Sequence, residues 1–226
     1  MRKIGLFLSL TASLILFGFQ TSQNPYGLYV EGPEIYLKSI KTNPNTTLVD
    51  LKKFIPDLVL DIKYATKDNF MGREMYKQAR AFARKPVAER LLIIQKKLKE
   101  KGLGLKIFDA YRPYSITIAF YNESKDKNFV ADPKFGSKHN RGCAIDLTLI
   151  DLKTGKELIM PTPYDSFKAA AAADYEPVSA IARKNRTTLI QIMESNGFKV
   201  LENEWWHFDF IGWKNYPLMD IPFEKL

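Results

Sequence analysis

Phe198-Lys199-Val200-Leu201-Glu202-Asn203-Glu204-Trp205-Trp206-His207-Phe208-Asp209-Phe210-Ile211 decides the fold of this 226-residue chain. Residues 198–201 and 205–211 are rich in β-branched and aromatic side chains. They flank Glu202-Asn203, which predicts an antiparallel hairpin near the C-terminus. A helix over 177–195, closed by Asn196-Gly197, leads into it. Upstream, strand patterns at 58–64, 105–109 and 144–150 alternate with helical ones. In residues 86–101, Val87, Leu91, Ile94 and Leu98 recur at helical spacing and Gly102 supplies the stop. Pro113 suits the first turn of a helix reaching residue 122, whereas the alanine-rich stretch 165–176 has no firm pattern. Strands separated by helices and finished by a hairpin argue for an α+β fold, a central antiparallel sheet flanked by helices in a single domain.

The ends of the chain read differently. Met1-Arg2-Lys3, the apolar run 4–19 and the polar residues after it predict a signal peptide over 1–22. That implies an exported protein, periplasmic or secreted, with no stable membrane insertion once the leader is cleaved. Residues 23–46, rich in Asn, Pro, Gly, Ser and Thr, are expected to form an extended surface arm, and 47–226 the folded domain proper. Some 200 residues are enough for one sizeable core. Cys143 is the lone cysteine, so no intramolecular disulfide can contribute. The net charge of +9 comes from lysines scattered over helical faces such as 96–101. The aromatics do not interleave with a basic stripe, so no nucleic-acid partner is indicated.

The chemistry lies around the chain's two histidines. In a strand side chains alternate faces. Ile145, Leu147 and Leu149 therefore point to a core, along with Cys143, while Asp146 shares the other face with Ala144 and Thr148. By the same alternation Trp206, Phe208 and Phe210 oppose His207 and Asp209. If both strands belong to one sheet, Asp146 and His207 converge, and His139 reaches them from the loop containing Gly142. Two imidazoles and a carboxylate form a ligand set for catalytic zinc, which keeps a fourth position open. Other divalent ions also accept it. Glu204, three residues before His207, is the candidate to take a proton from an activated water. Trp205 and Trp206 read as packing.

These residues also carry a resemblance. Ser137-Lys138-His139-Asn140-Arg141-Gly142-Cys143-Ala144-Ile145-Asp146 and Glu204-Trp205-Trp206-His207 resemble the paired signatures of the zinc D,D-peptidases, which include D-alanyl-D-alanine dipeptidases of the VanX type. Asp61-Ile62-Lys63-Tyr64-Ala65-Thr66, Asn69-Phe70 with Gly72, and Asp109-Ala110-Tyr111-Arg112-Pro113 are similar to the dipeptidase branch. The resemblance implies one zinc ion on His139, Asp146 and His207, Glu204 as general base and acid, and Arg112 stabilising the oxyanion. It further implies Asp165 holding the substrate ammonium, with Ser137 and Tyr111 as further substrate contacts. The implied activity is hydrolysis of the D-alanyl-D-alanine dipeptide. A D,D-carboxypeptidase acting on longer wall peptides, or an envelope-binding module with structural zinc, are the alternatives.

Overall fold

A computed structural model describes residues 24–226, and the predicted signal peptide lies outside them. In chain order the strands are β1 (Val30–Glu31), β2 (Leu48–Asp50), β3 (Val59–Leu60), β4 (Phe82–Arg84), β5 (Leu103–Asp109), β6 (Ala144–Asp151), β7 (Phe198–Leu201), β8 (Glu204–Phe210) and β9 (Leu218–Met219). The helices are α1 (Pro33–Thr42), α2 (Leu51–Phe54), α3 (Lys85–Lys99), α4 (Tyr114–Glu123) and α5 (Ala180–Glu194).

The α+β architecture is as read: a five-stranded sheet in the order β3-β5-β6-β8-β7, with α3 against β5 and α5 against β6, β7 and β8. In α3 the four apolar residues named above are fully buried, and the last turn carries Lys96, Lys97 and Lys99, cations suited to the negative end of the helix dipole. Ser179 caps α5 by accepting a hydrogen bond from Ala182 N. Gly197, at φ +93°, ends the turn that follows, a conformation L side chains rarely adopt.

The sheet departs from the purely antiparallel expectation at its edge, where β3 pairs in parallel with β5. Sequence pattern reports a strand but not the direction of its partner. The predicted strand over 58–64 is also shorter, because the chain turns into a 3-10 segment at Lys63–Ala65 that buries Tyr64. The Tyr64 carbonyl accepts from Met75 N and Tyr76 N instead of from a strand.

Within the expected arm, residues 24–46 are not extended. Pro33 sits in the first turn of α1, where its missing N–H costs nothing. α1 buries Tyr36, whose hydroxyl accepts from Leu48 N at 2.8 Å. β1 pairs in parallel with β9, joining this segment to the C-terminal part of the chain.

The central strand β6 is buried from Ala144 to Ile150. Its register with β8 sets Ile145 opposite Phe208 and Asp146 opposite His207, so each pair shares a face. Between Ile107 and Asp109 the β5–β6 register shifts, and this irregularity places Asp109 rather than Phe108 opposite Asp146. Asp109, Asp146 and His207 thus form a row across three strands.

Candidate metal centre and active-site cavity

His139 enters the row from a 3-10 turn, His139–Arg141, that ends at Gly142 with φ +67°. A Cβ there would lie 2.6 Å from Leu48 Cδ2 and 3.3 Å from Arg84 N, so a side chain would crowd the turn as well as strain its left-handed backbone. The turn is braced by Arg84, which is fully buried: its N donates to Gly142 O at 2.9 Å and its Nε to Arg141 O at 2.8 Å.

His139 Nε2, His207 Nδ1 and Asp146 Oδ1 converge. The two nitrogens are 3.1 Å apart, and they lie 3.3 and 3.0 Å respectively from the carboxylate oxygen. Ligands about 2.0 Å from a tetrahedral zinc stand about 3.3 Å apart, so the three atoms fit one small divalent cation. Asp146 Oδ1 is buried and accepts no hydrogen bond, a state costly for a carboxylate unless a cation meets it. The electrostatics agree. Burial opposes charge on His207, but the adjacent Asp146 and Asp209 carboxylates prevail and hold its pKa up to about 10. Burial likewise opposes charge on Asp146, and His139 and His207 overcome it, keeping the carboxyl well below its usual range. The site is built to hold positive charge between two imidazoles and a carboxylate.

A second ring of contacts aims these ligands. A carbonyl can only accept, so His139 Nδ1 donates to Ala110 O at 2.6 Å and leaves Nε2 free for metal. His207 Nε2 donates to Asp209 Oδ1 at 2.9 Å, leaving Nδ1 free. Asp209 is in turn 3.3 Å from the Lys138 ammonium. The Tyr164 hydroxyl donates to Asp146 Oδ2 at 3.0 Å, and its ring stacks on Phe108, which fixes the carboxylate with Oδ1 toward the histidines. We expect Tyr164→Phe to weaken metal binding about 10- to 100-fold, the usual effect of losing such an outer partner. Competition with a chelator reads this directly, and unchanged affinity would remove Tyr164 from the centre.

Glu204 Oε2 lies 3.7 Å from His207 Nδ1, the nitrogen facing the metal position. Burial raises the Glu204 pKa, the direction a proton acceptor working near neutrality needs. Arg112 is gripped by Asp109, whose Oδ2 accepts from its Nε at 3.0 Å and its Nη2 at 2.7 Å. Asp109 Oδ1 accepts from Tyr76 Oη at 2.8 Å. The guanidinium also stands over the rings of Phe120 and Tyr64, at 4.7 and 5.3 Å. Burial opposes its charge, but Asp109 dominates and keeps it protonated. Arg112 therefore lines the cavity while it is ion-paired to Asp109.

Asp165 faces the same cavity from a loop, with φ +62°, the one positive value at a non-glycine among the described residues. Its Oδ2 accepts from Tyr64 Oη at 2.9 Å, and burial pushes its pKa up to about 7 against that hydrogen bond. The short turn that follows, Ala169–Ala171, takes Lys168 as its cap, so Asp165 does not serve there. Ser137 lines the cavity, and its hydroxyl accepts from His139 N at 3.2 Å.

Tyr111 is a correction: it is fully buried and does not line the cavity. Its hydroxyl accepts from Ile221 N at 2.8 Å and donates to Ile221 O at 3.1 Å, tying the C-terminal segment to the core. Cys143 packs in the core as its parity implied, and burial pushes its thiol up to about 12, so it is no rival ligand. The sequence reading did not single out Tyr164, Asn140 or Arg84. Asn140 Nδ2 donates to Arg112 O at 2.9 Å and to Thr117 Oγ1 at 2.8 Å, joining the metal turn to the arginine segment.

The cavity spans about 270 Å³, and Arg112, Ser137, Lys138, Asp165 and Glu204 line it beside the three ligands. A family model described as D-ala-D-ala dipeptidase, Peptidase M15, matches residues 44–223. A D-alanyl-D-alanine dipeptidase of Escherichia coli is 38% identical over 174 residues, covering 77% of this chain and 90% of its own length. One from Enterococcus faecalis is 33% identical over 180 residues, with 70% and 87% covered. One from Enterococcus faecium is 32% identical over 171 residues, with 66% and 83% covered.

Proposed function

From the premise that this chain belongs to the D-Ala-D-Ala dipeptidase family of M15 peptidases, we propose that it hydrolyses the D-alanyl-D-alanine dipeptide with one zinc ion. The observation that carries the reading is the Glu204 carboxylate, set 3.7 Å from the metal-facing nitrogen of His207 in a cavity of small-peptide size. His139, Asp146 and His207 would hold the ion, which supplies Lewis acidity and lowers the pKa of water toward neutrality. Glu204 accepts the proton released as water attacks the scissile carbonyl and passes it to the leaving amine. Arg112, immobilised by Asp109, donates to the carbonyl oxygen as negative charge builds there. A preorganised guanidinium gains most at that moment. Asp165 receives the dipeptide's ammonium, and Ser137 borders the bound peptide. The leader-like residues 1–22 support placing this work in the periplasm or outside the cell.

Metal analysis joined to an assay of D-Ala-D-Ala, L-Ala-L-Ala and N-acylated D-Ala-D-Ala tests the reading. One zinc per chain and turnover of the free D,D-dipeptide alone is the expected result. Preference for the N-acylated peptide would replace the dipeptidase reading with a D,D-carboxypeptidase, because acylation removes the charge that Asp165 is there to meet. Absence of cleavage altogether would leave only a binding module.

A further inference from the structure

The cavity lining holds two cationic side chains besides the histidines, Arg112 and Lys138, and the reaction above uses only Arg112. A free dipeptide is a zwitterion. Its ammonium and carboxylate flank the scissile amide, and a buried carboxylate needs a cationic partner. Arg112 is committed on one edge to Asp109 and is occupied at the carbonyl during turnover.

Contacts order the site. Asp165 is bound to Tyr64, and its neighbour Tyr164 is bound to Asp146. Asp146 meets His207, His207 meets Asp209, and Asp209 meets Lys138. A carboxylate, joined through the 164–165 peptide to the Tyr164 that holds Asp146, and an ammonium, joined through Asp209 to His207, thus stand at the two ends of the ligand row, complementary in sign to the two ends of a dipeptide. Lys138 is paired but not enclosed. Its side chain is 36% exposed, its Nζ is 3.3 Å from Asp209 Oδ2, and it stands 5.5 Å from the centre of the Trp213 ring. Asp209 keeps its hydrogen bond from His207 if the ammonium turns toward a ligand, because that bond uses Oδ1.

We propose that Lys138 receives the C-terminal carboxylate of the substrate and thereby limits the enzyme to peptides with a free C-terminus. This rests on the dipeptidase reading. Lys138 is a specificity-determining residue here, complementary to Asp165 at the amino end. The flexible stem and compact ammonium of lysine suit an end group that must be released after every turnover.

The test compares the zinc-loaded wild type with Lys138→Met and Lys138→Arg on D-Ala-D-Ala and on its C-terminal carboxamide, with metal content measured for each protein. Lys138→Met should raise KM for the free acid about 10- to 100-fold, the worth of one charge-assisted hydrogen bond, with kcat changed less than about 3-fold. Lys138→Arg should retain most of the affinity. The carboxamide should bind weakly to all three proteins and be indifferent to the substitution. Equal losses on acid and amide would overturn the proposal, as would a fall in zinc content or kcat at unchanged KM. Either result would assign Lys138 to holding Asp209 against His207. Wild type inactive on D-Ala-D-Ala would bring down the dipeptidase reading and this proposal with it. Turnover by wild type with substitution-insensitive KM would bring down this proposal alone.

Discussion

Glu204→Gln should lower kcat for D-Ala-D-Ala hydrolysis about 10³-fold while the protein still binds one zinc per chain. The amide keeps the size and the polar edge of the carboxylate but cannot take a proton, and general-base groups contribute about 10²- to 10⁴-fold. Glu204 lies outside the convergent ligand triad, and its carboxylate is 3.7 Å from the nearest ligand nitrogen, so the three ligand atoms keep their spacing without it. Burial that raises the Glu204 pKa also makes the neutral glutamine easy to accommodate, and folding should be unharmed. Stopped turnover together with lost zinc would show that Glu204 is a ligand. Turnover within a few-fold of wild type would move the base elsewhere, with Asp165 the next carboxylate lining the cavity.

Two members of the candidate metal triad, Asp146 and His207, were legible in sequence because strand parity is a rigid rule. Asp146 and His207 had to share a face once β6 and β8 were neighbours, and the observed register pairs them directly. Glu204 obeys no such rule. Strict alternation would set it with Trp206 and against His207, yet its carboxylate lies beside His207. The β7–β8 register breaks at this point, where Val200 pairs with Phe208 while the next residue, Leu201, pairs with Glu204. The candidacy of Glu204 rests on residue type and spacing, and the irregular start of β8 brings its carboxylate beside His207.

Tyr111 failed for a different reason. The resemblance implies a substrate contact there, but beyond the end of β5 the aromatic ring goes to the core. Tyr164 and Arg84 act over long sequence separations, 18 residues to Asp146 and 57 to Arg141. One sequence carries no mark of such pairings. The N-terminal segment was misread because composition rich in turn formers hid the helix start at Pro33, where proline promotes order.

Asp146→Asn should have the largest effect on the metal itself. The carboxylate supplies the only formal negative charge among the three ligands, and its Oδ1 is the atom both histidines approach. An asparagine of the same shape retains an oxygen but not the charge, and its amide can turn an N–H toward the ion. Affinity should fall at least about 10³-fold, beyond the 10- to 100-fold expected where only an outer partner is lost. Hydrolysis should fall in parallel at limiting zinc.

Thermal unfolding distinguishes this from general damage. A ligand that binds only the folded chain stabilises it by about 4 kcal/mol at a thousandfold excess over Kd. Zinc should therefore raise the wild-type Tm and leave that of Asp146→Asn nearly unmoved at the same concentration. The metal-free proteins provide the control, because the substitution also removes the buried pairing that holds the His207 pKa high. The variant can accordingly be less stable before any zinc is added, but only loss of the zinc-dependent increment reports on the ligand. An equal increment in both proteins, with one zinc still bound, would take Asp146 out of the coordination set and require another donor beside His139 and His207.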